Sequence, residues 1–189
     1  MDAGPLEDLS WLRALPPKNP SVLSGLEGDP TPVRAFDIAG LDALGMSVGG
    51  AFGALAAEPH LAAAVRSPTS CYLDLADTVV VLDDDGVLVH VLSDQQWGRH
   101  WLLHVDEGGE GAVVTTDEPL GFVLDEGEPA ASLDGIEVCA PSFAEFLYRI
   151  WIEGELFWSG GRGPLPEPFD SYARHCRVRA AQPPSDPQW

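Results

Sequence analysis

The sequence predicts an α+β domain: an antiparallel sheet of about four to six strands, a long C-terminal amphipathic helix packed on it, and short helices before it. Three observations carry that prediction. In Ser142 to Trp158 (SFAEFLYRIWIEGELFW), Phe143, Phe146, Leu147, Ile150 and Trp151 recur at helical spacing, while Glu145, Arg149, Glu153 and Glu155 fall mostly on the other side. From Cys71 onward the apolar period drops to two, in valine-rich runs separated by Asp- and Gly-containing turns. Runs of strands followed by one strong helix place that helix on a face of the sheet.

Taken in order, residues 1–34 are rich in Pro, Gly and acids and read as a loose N-terminal segment. Within it Leu9, Trp11, Leu12 and Leu15 make one short helical turn before Pro16. Residues 35–160 form the single domain. Its first part, with Phe52, Leu55 and Ala56, then Leu61, Ala62 and Val65, predicts two short helices broken at Pro59. The glycines Gly45, Gly49, Gly50 and Gly53 do not make a phosphate loop, because no Lys-Ser/Thr follows and no suitable strand precedes them.

Strand patterning follows at Cys71, Leu73 and Leu75, at Val79 and Val81, and at Val87, Val89 and Val91. Asp83-Asp84-Asp85-Gly86 between two valine runs predicts a hairpin, with glycine where φ is positive. Arg99 to Val105 is a further strand, Asp106 to Gly111 a turn, and Ala112 to Thr116 the returning strand. Pro119 to Leu124 reads as a short edge strand, Asp125 to Gly135 as an acidic loop, and Ile136 to Ala140 as the last strand. The long helix starts at a Ser142-x-x-Glu145 capping box and stops at Ser159-Gly160-Gly161. Gly154 weakens it by roughly 1 kcal/mol against alanine. Residues 161–189 read as a Pro-rich connector, a short helix over Phe169 to Arg177 and a flexible tail.

Thirty acids against ten bases give the 189-residue chain a formal charge of −20. Such a surface repels nucleic acid and anionic membrane and attracts a basic partner. Seventeen acids lie between Ser67 and Tyr148 against the single base Arg99, and bases return at Arg162, Arg174, Arg177 and Arg179. No apolar run reaches the ~18 residues of a membrane span. The acidic start MDAGPLEDLSWLR lacks the apolar region of a signal peptide. Three cysteines at unrelated spacings read as reduced thiols of a cytoplasmic protein. One lysine against nine arginines, with abundant Ala, Gly, Pro and Asp, reads as the coding bias of a high-G+C bacterium.

No catalytic, cofactor or metal constellation stands out. Neither HExxH, paired CxxC nor GxSxG occurs. A calcium loop spreads its ligands over about twelve residues, whereas the chain returns to a strand directly after Asp83, Asp84 and Asp85. On one strand His100 and His104 would stand about 13 Å apart, too far to share one zinc unaided. The acidic surroundings of Cys71 would raise a thiol pKa where catalysis needs it lowered. The residues that stand out are of interface type: Trp97, Arg99 and Trp101 in SDQQWGRHW, with the acidic turn Asp83, Asp84 and Asp85. The alternative is an enzyme or small-ligand domain with a pocket near His100, His104 and Cys71.

Two stretches resemble a known family. Val79 to Val91 (VVVLDDDGVLVHV) has its strand, acidic turn with glycine, and second strand. Ala140 to Trp158 has its closing helix of the form Ser-Phe-x-Glu-Phe-Leu. Over about Ser70 to Trp158 the chain resembles the SMI1/KNR4 (SUKH) superfamily. The N-terminal third departs from that family's pattern, since Leu15-Pro16 is followed by a proline-rich run. The resemblance implies a compact α+β domain without enzymatic activity and without a cofactor. It further implies a bacterial immunity protein that binds a toxin domain, often a nuclease, whose basic site an acidic sheet would occupy.

Overall fold

The computed structural model of the chain describes residues 4–16, 48–65, 72–73, 79–82, 86–94, 98–117, 135–160 and 167–180. The architecture is α+β. Helices α1 (Gly4–Glu7), α2 (Ser10–Arg13) and α3 (Gly50–Ala57) and a 3₁₀ helix (Pro59–Ala64) precede the sheet. The strands are β1 (Tyr72–Leu73), β2 (Val79–Leu82), β3 (Gly86–Ser93), β4 (His100–Asp106), β5 (Gly109–Thr116) and β6 (Glu137–Ala140). The long helix α4 (Phe143–Trp158) and α5 (Phe169–Ala180) follow. The sheet order is β1-β3-β4-β5-β6, with β2 also paired to β3, and every pairing is antiparallel.

The sheet has two covered faces. On the first, Val87, Val89, Val91, Leu103, Val105 and Val113 meet Phe143, Phe146, Leu147 and Ile152 of α4 in one main cluster. Leu6, Leu9 and Leu12 are buried in the same cluster. The segment read from sequence as a loose end with one helical turn is therefore two short helices seated in the core as far as Pro16. The second face carries a smaller cluster of Val80, Leu88, Leu102 and Val114. Because both faces are covered, all eight residues of β3 are buried. A four-ring aromatic group joins the N-terminal helices to the C-terminal ones. Trp11 packs at 5.1 Å from both Tyr148 and Trp151, and Trp151 at 5.3 Å from Phe169. That packing outweighs two buried indole N–H groups, of Trp11 and Trp151, which have no hydrogen-bond partner.

Helix α4 begins as its capping residues dictate, with the Glu145 amide donating to Ser142 Oγ at 3.2 Å. It ends at Gly160, whose φ of 65° is the left-handed conformation of a helix stop. The apolar side chains at the end of the helix behave differently from the stripe before them: Ile152 is buried, but Phe157 and Trp158 are exposed.

At the β2–β3 hairpin Leu82 pairs with Gly86, and Gly86 has the expected positive φ, 99°. The position has a second reason to be glycine, since an added Cβ would stand 2.3 Å from the Val105 carbonyl oxygen. The turn predicted over Asp106 to Gly111 is shorter than expected: only Glu107 and Gly108 lie between β4 and β5. Gly109, Glu110 and Gly111 belong to β5. Pro119 to Leu124 lies outside the described residues.

Two β-bulges redirect side chains. Between His90 and Leu92 the β3–β4 register slips, so that Val91 and Leu92 both reach the main cluster. A second slip sets Gly111 and Ala112 opposite His104 and turns Glu110, the partner of Val105, toward the helical face. There the Glu110 carboxylate accepts the amides of Phe52 (3.1 Å) and Gly53 (3.1 Å) at the start of α3. The glycine-rich start of this helix thus holds the chain's own carboxylate. Burial pushes the Glu110 pKa up, the two amides pull it down, and Glu7 nearby adds to the rise.

Gly86→Ala lowers stability by at least ~2 kcal/mol in urea denaturation, through φ strain and the clash with Val105. Glu110→Ala lowers it by about 1 kcal/mol at pH 4, because the Phe52 amide loses this acceptor, whereas the Gly53 amide keeps the Gly49 carbonyl at 2.8 Å. The folded pKa of Glu110 lies above the unfolded value of 4.5. Its contribution is therefore fully present below that value and is lost as pH rises through the folded value. Glu110→Gln, which keeps one acceptor and does not titrate, gains stability relative to the wild type between pH 4 and pH 7 in paired urea melts.

Candidate functional site

Where β4 and β6 meet α4 and α5, charged and aromatic groups gather around Trp101. Alternation along β4 puts Trp101 on the same face as Leu103 and Val105, half-buried and packed against the main cluster. Its register partner is Thr115, and Thr115 in turn pairs with Glu137 at the exposed end of β6. One residue before β4, the exposed Arg99 forms an ion pair with Asp117 at 2.7 Å. The hydrogen bond from the guanidinium holds the Asp117 carboxyl below its usual range, and the same hydrogen bond, with the charges of Asp117 and Glu137, raises Arg99.

The half-buried Cys139 of β6 packs against the same cluster. From α4, Arg149 pairs with Glu153 at 2.9 Å across one helical turn. The Tyr172 hydroxyl of α5 donates to the same Glu153 oxygen. Hydrogen bonding to Glu153 drives the Arg149 pKa further up, so its positive charge is permanent. Burial raises the Cys139 thiol pKa above 9.0, against the lowering pull of Arg149, of the Trp101 indole N–H and of Arg99.

The surface presents a part-exposed indole bordered by two ion pairs, with Glu137 acting electrostatically on Arg99. Its thiol is protonated at neutral pH and is a poor nucleophile. Its acids serve as ion-pair partners, with Asp117 on Arg99 and Glu153 on Arg149.

Of the interface residues read from sequence, Arg99 and Trp101 come together on this surface. Asp83, Asp84, Asp85 and Trp97 lie outside the described residues, as does Cys71. The grouping of Cys139, Arg149, Glu153 and Tyr172 with Trp101 is new to the structure. Only the four-residue spacing of Arg149 and Glu153 signalled part of it.

The three histidines of the sheet divide between two places. His90 and His100 lie on the second face with rings 5.5 Å apart. Ser93 Oγ stands 2.8 Å from His90 Nε2 and 3.5 Å from His100 Nδ1. The β3 bulge makes this possible by returning Ser93 to the face of His90. His90, Ser93, His100 and Thr116 are all buried, so this is an internal polar group. His104 lies further along β4, beside Gly111, where an added Cβ would sit 3.0 Å from its Nδ1. Among the described residues no group of three His, Cys, Asp or Glu side chains is placed to hold a metal ion. No helix among them is long and apolar enough to cross a membrane.

Comparison with known proteins finds no match. No family model, no curated protein and no solved structure is similar to the chain.

The thiol gives a direct test of the local electrostatics. Cys139 alkylation by iodoacetamide, followed by mass spectrometry of its peptide, is expected to be slower at pH 7.5 than in an unfolded peptide. Its rate is expected still to be climbing at pH 9.

Proposed function

We propose that this chain is a non-enzymatic, cytoplasmic protein-binding domain of the SMI1/KNR4 type, which takes a basic partner on its acidic surface. The partner class implied by the resemblance is a toxin domain, with the chain as its immunity protein. The observation that carries the reading is the part-exposed Trp101 set among Arg99, Asp117, Glu137, Arg149 and Glu153. An aromatic anchor within a charged rim is the usual make-up of a binding hot spot. The formal charge of −20 supplies attraction to a basic surface at long range. The hairpin at Val79–Leu82 and Gly86–Ser93 and the capped helix α4 are the elements on which the family resemblance rests.

Calorimetric titration with the product of the gene beside it, at low and at high salt, tests this. A stoichiometric complex that weakens steeply with salt is expected, because exposed charges are screened. Trp101→Ala should weaken it at least about tenfold, and Glu137→Lys should slow association. A mixture with no complex in either condition counts against the reading.

A further inference from the structure

We infer that the basic partner joins the outer edge of β6 as an extended segment, adding a strand beside Glu137–Ala140 with an arginine or lysine against Glu137 and an apolar residue against Val138. This rests on the proposed function and names the element of the partner that docks. Among the described residues β6 is the last strand of the sheet, paired to β5. Two rows of side chains run across the sheet and end on it. On the second face the register joins His90, Leu102, Val114 and Val138. The first three are 6%, 1% and 8% exposed, whereas Val138 is 73% exposed. On the first face the register joins Leu92, Trp101, Thr115 and Glu137, and this row also ends exposed. Burial on both faces thus ends at β6, where a further strand would begin.

A strand added at the usual spacing of ~4.8 Å continues both rows. Side chains alternate between faces, so the residues that meet Glu137 and Val138 are consecutive in the incoming chain. One is apolar, covers Val138 and extends the row of Leu102 and Val114. The other meets a carboxylate, and cross-strand pairs of opposite charge stabilise a sheet where like charges oppose it. Arg99, on which Glu137 also acts electrostatically, is itself hydrogen-bonded to Asp117 at 2.7 Å. The approach to the edge selects the same chemistry: residues 125–137, which lead into β6, contain five acids and no base. A second copy of this chain is disfavoured there, because its β6 brings another Glu137 and the same acidic approach. The added strand stands three strand spacings, roughly 14 Å, from Trp101, so one partner covers both contacts. Main-chain hydrogen bonds supply the attachment, and the two side-chain rows supply the selectivity.

The test uses the full chain and the peptide acetyl-Arg-Val-Arg-Val-Arg-Val-Arg-amide at low salt, beside a counterpart N-methylated at every residue, which keeps the charge and cannot join a sheet. Binding is read by calorimetry, and exchange of the β6 amides by NMR. Wild type is expected to bind the unmethylated peptide at least about tenfold more tightly, with slower exchange in β6. Val138→Ser changes no charge and alters an exposed side chain, so it is expected to weaken binding about threefold with an unchanged Tm. Equal affinity for the two peptides, unaltered β6 exchange, or full affinity in Val138→Ser overturns the inference and leaves the acidic-surface reading standing. A chain that is dimeric without peptide and already protected at β6 overturns it too, and assigns the edge to a second copy. Absence of binding to either peptide overturns both readings.

Discussion

Burial of one stripe of α4 against the first face of the sheet is the contact on which the rest depends. Phe143, Phe146, Leu147 and Ile152 fill the space over Val89, Leu103 and Val113, and Phe143 meets Phe52 edge to face at 5.3 Å. Through Phe52 the contact extends to α3, and through Trp151 to α2 and α5. Fully burying each such side chain is worth about 1.5–3 kcal/mol, more than any exposed ion pair on this surface. The charged groups around Trp101 are thus positioned by an apolar scaffold and add little to its stability.

The scaffold was the legible part of the sequence. Helical spacing at Phe143, Phe146, Leu147 and Trp151 and the Ser142 cap predicted α4 because both signals are local. The Gly86 hairpin was equally readable, since a two-residue period and one special glycine specify it. Legibility stopped where neighbours decide. Alternation alone would send Glu110 away from α3, and only the bulge at Gly111 and Ala112 brings it back. Leu6, Leu9 and Leu12 sit among prolines and acids, so their composition suggested a loose end, yet the main cluster buries all three. At the end of α4, apolar residues continue at helical spacing through Phe157 and Trp158, yet both are exposed.

The site around Trp101 was half visible for the same reason. Arg99 and Trp101 are neighbours in sequence and could be read as one interface element. Cys139, Arg149, Glu153 and Tyr172 come from three other elements, and no spacing rule connects them. Among the described residues, Arg13 is matched to Glu58, Arg99 to Asp117, Arg149 to Glu153, and Arg174 to Glu167 and Asp170. At these four positions the positive charge is met locally by acids.

The serine between the two second-face histidines imposes a constraint of its own. A hydroxyl has one proton, so Ser93 donates to one imidazole nitrogen at a time. When it donates to His90 Nε2, that nitrogen carries no proton, and any hydrogen bond with His100 Nδ1 must be donated by the imidazole. Since the hydroxyl can instead accept from both, at least one of the two rings presents an N–H to Ser93 whenever both contacts are hydrogen bonds, which ties neighbouring strands together through a buried polar contact.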